Sequence, residues 1–365
     1  MRERVLLEKD ILSFVNKFSG GTAKETVFNA LALRIFRFQY ENNSHYRRLC
    51  GLMSISPEQV WSWREIPAVP ASAFKELALT SFPAKERVRV FHTSGTSAGA
   101  PVAGGTSRSL GGGAHYFRTL RLYEASILPA FETNLLFGRP SLSFFFLMDP
   151  PRAEPNSSLS FMMGVVNRRF AGNKGRFYLR KGIPRFDELL QDLRKERKRI
   201  ILLSTAFALK GFLDYLKEKK ICLRLADGSR LMETGGFKGR VQEISKRALY
   251  AECGQRLGIP KKHCVSEYGM TELSSQYYSH ALGEFHGPAW IRAVVVDPET
   301  GKASAGLHEG ILKHVDLANL GSVMAVQSED LGKARAGGFE LLGRAPGSLL
   351  RGCSLAHEAL VGGPN

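Results

Sequence analysis

The chain has 365 residues, with 51 Lys+Arg against 34 Asp+Glu for a formal net charge of +17, and 44% of it is hydrophobic. That much apolar material can form a core, which excludes a disordered chain, and the glycines keep no three-residue period, which excludes a collagen-like one. The longest uninterrupted apolar run, Phe144 to Met148, is far below the roughly 18 residues that span a bilayer, so no membrane span is expected.

In chain order, the start from Met1 to Asp10 carries charges where a secretory signal needs an apolar segment, and reads as cytoplasmic. Residues 27–40 are rich in Leu, Phe and Ala at helical spacing, and Ser56-Pro-Glu-Gln-Val60 reads as a capped helix start with Pro in its first turn. Phe186, Leu189, Leu190 and Leu193 share a helical face, with the basic run Arg194–Arg199 as the last, solvated turn. From residue 199 strands and helices alternate: strand 199–204, helix 206–220, strand 230–234 broken by Gly235-Gly236, helix 241–257, strand 263–267. Strands separated by helices of this length imply a parallel sheet, with chemistry in the loops after its strands. Beyond residue 290 shorter strands follow, at 291–296, 322–327 and 338–342. The expected class is α/β, with a core over 1–290 and a small β-rich subdomain and tail over 291–365.

Five cysteines, Cys50, Cys222, Cys253, Cys264 and Cys353, lack C-x-x-C spacing and fit reduced thiols; Cys253, His263 and Cys264 do not have the spacing of a zinc site. The positive excess speaks to partners rather than fold. Its densest run has no interleaved aromatics, which argues against nucleic acid.

Three segments carry candidate chemistry. Val90 to Pro101 has a strand-like start followed by small, hydroxyl-rich residues, whose backbone and hydroxyls can wrap an anion; the pattern also suits a flexible surface loop. Met232 to Arg240 puts two glycines after a strand, which suits either the close approach of a flat ring or an ordinary turn. Ser266 to Ser274 offers a stacking face in Tyr268, a hydroxyl in Thr271 and, in Glu272, a carboxylate able to hold Mg2+ beside phosphates; a capped helix start is the alternative.

Ser94-Gly-Thr-Ser97 followed by Tyr268-Gly-Met-Thr-Glu272 resembles the phosphate loop and the Tyr-Gly-x-Thr-Glu motif of adenylate-forming enzymes. More narrowly, residues 66–75, 155–161, 232–240, 267–276 and 342–354 resemble LuxE-type acyl-protein synthetases of bacterial fatty-acid reductase systems. The resemblance implies an adenylate-forming core of mixed and parallel sheets flanked by helices. It also implies activation of a long-chain fatty acid with ATP and Mg2+ to an acyl-adenylate, then transfer of the acyl group to the cysteine thiol of an acyl-accepting partner protein.

By that resemblance Ser94, Gly95, Thr96 and Ser97 cradle phosphates, Gly235 and Gly236 line the adenine, and Tyr268 stacks near it. Thr271 contacts the α-phosphate and Glu272 binds Mg2+, while Asp330 and Arg344 meet the ribose. Cys353, beside Arg351, is the acyl-carrying nucleophile. The sequence departs from the pattern in two places: the phosphate loop has Ser-Ala-Gly-Ala-Pro101 with no following lysine, and the chain stops shortly after Ser354, where the superfamily begins a lid domain. Two other readings remain beside it, an aryl- or acyl-CoA ligase and a non-catalytic module of the same fold.

Overall fold

The computed structural model describes residues 2–93, 112–138, 141–235, 245–298, 300–303 and 309–346. Contacts group the chain into two units. The first comprises Met1–Ser126, Met270–Ser275 and Gly287–Asn365; the second comprises Ile127–Gly269 and Gln276–His286.

The first unit opens with three helices, α1 (Arg2–Lys17), α2 (Glu25–Asn42) and α3 (Ser44–Leu52). Helix α2 extends two residues beyond the expected 27–40 at each end and buries Phe28, Leu31, Ala32, Ile35 and Phe36, the stripe that its spacing dictates. Asn43 starts α3 by accepting the Tyr46 N–H at 3.1 Å. The start at Ser56 gives only one 3₁₀ turn, Pro57–Gln59, closed by the Gln59 side chain on the Ser56 N–H at 2.8 Å. Strand β1 (Val69–Pro70) follows, then the antiparallel pair β2 (Arg89–His92) and β3 (Ala114–Phe117).

Helix α4 (Arg121–Leu135) begins in the first unit and ends in the second. The second unit then adds β4 (Ser143–Leu147), α5 (Ser158–Phe170), β5 (Arg176–Phe177) and the small hairpin β6 (Leu179–Arg180) and β7 (Ile183–Pro184). After these come α6 (Phe186–Lys195), β8 (Ile200–Thr205), α7 (Ala206–Glu218) and β9 (Arg230–Thr234), then α8 (Lys246–Leu257), β10 (Cys264–Tyr268) and β11 (Tyr277–His280). Its six-stranded sheet runs in the order β11-β10-β9-β8-β4-β5, parallel except for β11.

Ile200 to Leu203 are all fully buried, as a parallel strand covered on both faces requires. Leu189, Leu193, Leu209, Phe212, Leu249 and Leu257 from α6, α7 and α8 share one core with alternate residues of these strands. Of the expected helix 241–257, the part before residue 245 lies outside the described residues. The basic run departs from expectation. Helix α6 stops at Lys195 because the Glu196 carboxylate turns the chain by accepting the N–H groups of Arg197 (2.9 Å) and Lys198 (2.8 Å).

The chain then returns to the first unit through β12 (Ile291–Val296), β13 (Glu309–Asp316), β14 (Ala325–Arg335) and β15 (Gly338–Arg344). These strands are antiparallel to one another, and β14 also takes β1 in parallel, pairing Val69 with Val326. Contacts therefore do not divide the chain at residue 290 as expected. Strand pairing attaches the C-terminal strands to the N-terminal unit, in a five-stranded sheet.

Candidate active site

Strands β2 and β3 bracket residues 94–111, so Ser94, Gly95, Thr96 and Ser97 lie outside the described residues. The base of the hairpin is closed tightly. Thr93 N donates to Gly113 O at 2.8 Å, and Gly113 N donates to Thr93 Oγ1 at 2.6 Å. A Cβ on Gly113 would sit 3.1 Å from the Phe74 carbonyl carbon, so backbone rather than a yielding side chain would have to give by a few tenths of an ångström to admit one.

In the second unit, β9 ends at Thr234 and is followed by Gly235, whose φ of +76° suits glycine; Gly236 lies outside the described residues. Beside it, β10 ends at the buried Tyr268, whose ring meets Phe285 edge-on at 5.8 Å between centroids. Lys246 stands over the Phe285 ring at 5.5 Å, and its ammonium donates to Ser266 Oγ and, at 2.9 Å, to the fully buried Glu233 Oε1. Tyr250 OH donates to the same carboxylate oxygen at 2.9 Å. On the neighbouring register pair, the Thr234 hydroxyl donates to Glu267 Oε2. Burial pushes the Glu267 carboxyl up to about 7; Thr234 opposes the rise, Glu233 adds to it and Lys246 opposes it.

Beyond Gly269 the chain makes a turn instead of the alternative helix start, with Leu273 N donating to Met270 O at 3.1 Å. Met270–Ser275 belongs to the first unit, and side chains of that unit hold it from several directions. His115 Nδ1 lies 2.8 Å from Thr271 O, and Asn319 Nδ2 donates to Glu272 O at 2.7 Å. Asp316 accepts Ser274 N at 2.8 Å and Ser275 Oγ at 2.7 Å, while Ser274 Oγ donates to Asn319 Oδ1 at 2.6 Å. Ser126 Oγ donates to Ser275 Oγ at 2.8 Å and accepts the Trp290 indole N–H at 2.7 Å. Sequence reasoning missed His115, Asp316 and Asn319, as well as Glu233 and Lys246. Their partners are distant in the chain, so no local spacing marks them.

Glu272 itself is only 7% exposed, and burial pushes its carboxyl up to about 7. Its own backbone N–H and the Arg344 guanidinium favour the anion, and Glu329 and Asp330 oppose it. Asp330 and Arg344, both expected at a ribose, are brought together as register partners on β14 and β15, with Arg344 Nε 3.6 Å from Asp330 Oδ1. Arg344 Nη1 also pairs with Glu329 Oε2 at 2.6 Å.

Cys353 lies outside the described residues. Burial pushes the Cys50 and Cys264 thiols up to about 12 and raises Cys253 as well, which disfavours the thiolate at all three. Among the described residues no group of three His, Cys, Asp or Glu is placed to hold a metal ion.

No protein-family model matches the chain. Among curated proteins it is similar to the long-chain-fatty-acid–luciferin-component ligase of Aliivibrio fischeri, at 22% identity over 341 residues, covering 89% of this chain and 84% of that relative. Among solved structures, 2-hydroxyisobutyryl-CoA ligase in its postadenylation state, in complex with 2-HIB-AMP, matches with a TM-score of 0.63 at 13% identity, over 88% of this chain and 67% of that one. The fold is that of the adenylate-forming ligases. An open conformation of the same ligase with 2-HIB-AMP and CoA matches with a TM-score of 0.62 at 13% identity, over 88% of this chain and 76% of that one. Within this adenylate-forming fold, one unit of the chain holds Gly235 and Tyr268 and the other holds Thr271, Glu272, Asp330 and Arg344.

Proposed function

We propose that this protein is an acid–thiol ligase that activates a long-chain fatty acid with ATP and passes the acyl group to the cysteine thiol of a partner protein. The observation that carries this reading is the similarity to the fatty-acid–luciferin-component ligase, which runs along 89% of the chain. In the first step a carboxylate oxygen attacks the α-phosphorus, the bond to the bridging oxygen breaks, and pyrophosphate leaves. In the second, a thiolate attacks the acyl carbon and AMP departs with the bonding pair. A carboxylate is a poor acyl donor, and the acyl-adenylate carries AMP as a better leaving group. Alignment and charge neutralisation therefore dominate the first step.

The roles follow the residues. Ser94, Gly95, Thr96 and Ser97 receive the β- and γ-phosphates. Gly235 and Gly236 line the adenine, Tyr268 lies against it, Thr271 contacts the α-phosphate, and Asp330 with Arg344 meets the ribose. Glu272 fits a magnesium ion: it is a buried acid whose charge burial opposes, beside Glu329 and Asp330 with Arg344 as its favourable cation. Magnesium needs only one or two carboxylates when phosphate oxygens and water complete its shell. When bound, it neutralises phosphate charge. Cys353 is the acyl carrier, and the +17 charge suits docking of an acidic acyl-accepting protein in the cytoplasm. No helix among the described residues is long and apolar enough to cross a membrane.

The test is fatty-acid-dependent exchange of labelled pyrophosphate into ATP. Exchange with long-chain acids supports the reading, and a folded protein without exchange overturns it. The CoA ligase reading has the matched CoA ligase structures in its favour. Formation of acyl-CoA on adding CoA would select that reading instead. Incubating the Cys353→Ser variant with ATP and radiolabelled fatty acid tests the carrier: hydroxylamine-labile label should disappear, and undiminished label removes Cys353 from the mechanism.

A further inference from the structure

We propose that His115 is a positioning residue for adenylation, which fixes Thr271 and Glu272 by holding the Thr271 carbonyl from strand β3. The inference rests on the adenylation reading and adds to it a residue that touches no substrate.

His115 is 2% exposed, and its Nδ1 lies 2.8 Å from Thr271 O. A carbonyl oxygen can only accept, so Nδ1 carries the proton and the ring is locked in one neutral tautomer. The ring is also fixed by packing, edge-on to Phe74 at 5.7 Å and against Phe117 at 4.1 Å between centroids. Burial pushes its pKa down to about 4, so it stays neutral through the physiological range.

The position of this bond gives it its effect. Strand β3 is joined to β2 over four register pairs, Arg89 with Phe117 through His92 with Ala114, so His115 is anchored in a ladder. Thr271 sits in a turn, with no ladder of its own. Asn319 holds the next carbonyl, that of Glu272, and Asp316 holds Ser274 and Ser275, all on the C-terminal side. His115 thus holds the Thr271 carbonyl from a paired strand, where a hydroxyl must meet the α-phosphate and the following carboxylate must meet the cation. An oriented group displaced by about 1 Å costs on the order of 100-fold in rate.

The experiment compares His115→Leu, which removes the donor, with His115→Asn, which keeps an N–H near the Nδ1 position. Binding of MgATP and of adenosine is measured by calorimetry, and fatty-acid-dependent pyrophosphate exchange is measured alongside. The Leu variant should bind MgATP about tenfold more weakly, the equivalent of one lost hydrogen bond, with adenosine unchanged within about twofold. Exchange should fall by about 100-fold in kcat, and the Asn variant should recover most of both losses. Equal weakening of the two ligands, weakening of neither, or an Asn variant as impaired as the Leu variant overturns the assignment.

If the Leu variant does not fold, the wild-type protein decides the question by nitrogen-15 NMR. A neutral His115 protonated at Nδ1 at pH 7 supports the assignment, and an Nε2-protonated ring or an imidazolium overturns it. Wild-type protein with neither exchange nor MgATP binding overturns the adenylation reading and this assignment with it. Wild-type exchange with an insensitive Leu variant overturns this assignment alone.

Discussion

Replacing Asp316 by Asn removes a charge from the centre of the clamp on residues 270–275 with almost no change of shape. Asp316 is fully buried and accepts the N–H groups of Ser274 and Ala318 and the hydroxyl of Ser275. These donors, with the Ser275 N–H, favour the carboxylate and burial disfavours it. Burial wins, and the carboxyl is pushed from 3.8 up to about 6. As pH rises the unfolded chain therefore releases this proton first. The stability linked to Asp316 is fully present below 3.8 and is lost as pH rises through 6. At about 1.4 kcal/mol per unit the loss is about 3 kcal/mol.

The Asp316→Asn variant has no such titration. The stability of the wild type relative to it should therefore fall by about 3 kcal/mol between about pH 3.5 and about pH 7. Urea unfolding followed by tryptophan fluorescence measures this well, because Trp61, Trp63 and Trp290, all three of the tryptophans, lie in the unit that holds Asp316. A difference that does not change with pH, or that grows in favour of the wild type as pH rises, refutes the reasoning. It would mean that the donors outweigh burial.

Three further outcomes follow from the same geometry. Glu272→Gln should abolish at least about 99% of pyrophosphate exchange. Because the wild-type carboxyl is raised to about 7, stability linked to Glu272 is lost as pH rises through 7, and urea midpoints should favour this variant above that pH. Gly113→Ala should lower the stability of the first unit by about 1–3 kcal/mol in urea titrations, because its Cβ meets the Phe74 backbone rather than a side chain that can move. Lys246→Met should cost about 2–3 kcal/mol by leaving Glu233 buried with, among the described residues, only Tyr250 as a donor, and the double variant with Glu233→Met should recover most of that loss.

The parallel strands were legible because burial on both faces requires an unbroken apolar run, as in Ile200 to Leu203, and glycine follows β9 where the backbone reverses to positive φ. Strand β13 was not legible. Its sequence carries Lys313, His314 and Asp316, which interrupt the apolar pattern of a buried strand, yet all three are buried, and distant groups satisfy Lys313 and Asp316. Lys313 Nζ donates to the carbonyls of Arg64 at 2.8 Å and Ile66 at 2.6 Å, and Asp316 meets Ser274 and Ser275. Of the candidate site, the resemblance supplied Asp330 and Arg344, and register explains why they meet. His115 was invisible for the opposite reason to Glu272: it belongs to no motif, and its partner Thr271 is 156 residues away. The basic run after α6 was misread because the effect of Glu196 is local and specific, a carboxylate turning back on two N–H groups, and helical spacing does not register it.

The chain passes between the two units four times, after residues 126, 269, 275 and 286. During synthesis, the second unit emerges almost whole before β12–β15 exist, whereas the first must wait for them. Until β14 arrives, β1 has no strand to pair with, because Val69 is matched to Val326. The N-terminal helices, with Phe28, Ile35 and Phe36 on their apolar stripe, therefore leave the ribosome long before their own sheet can form. Such a segment invites holding by a chaperone and aggregates if left alone. It also means that neither unit can be isolated by cutting the chain once, so ribosome-stalled or truncated forms ending before β14 should be insoluble while the full chain is not.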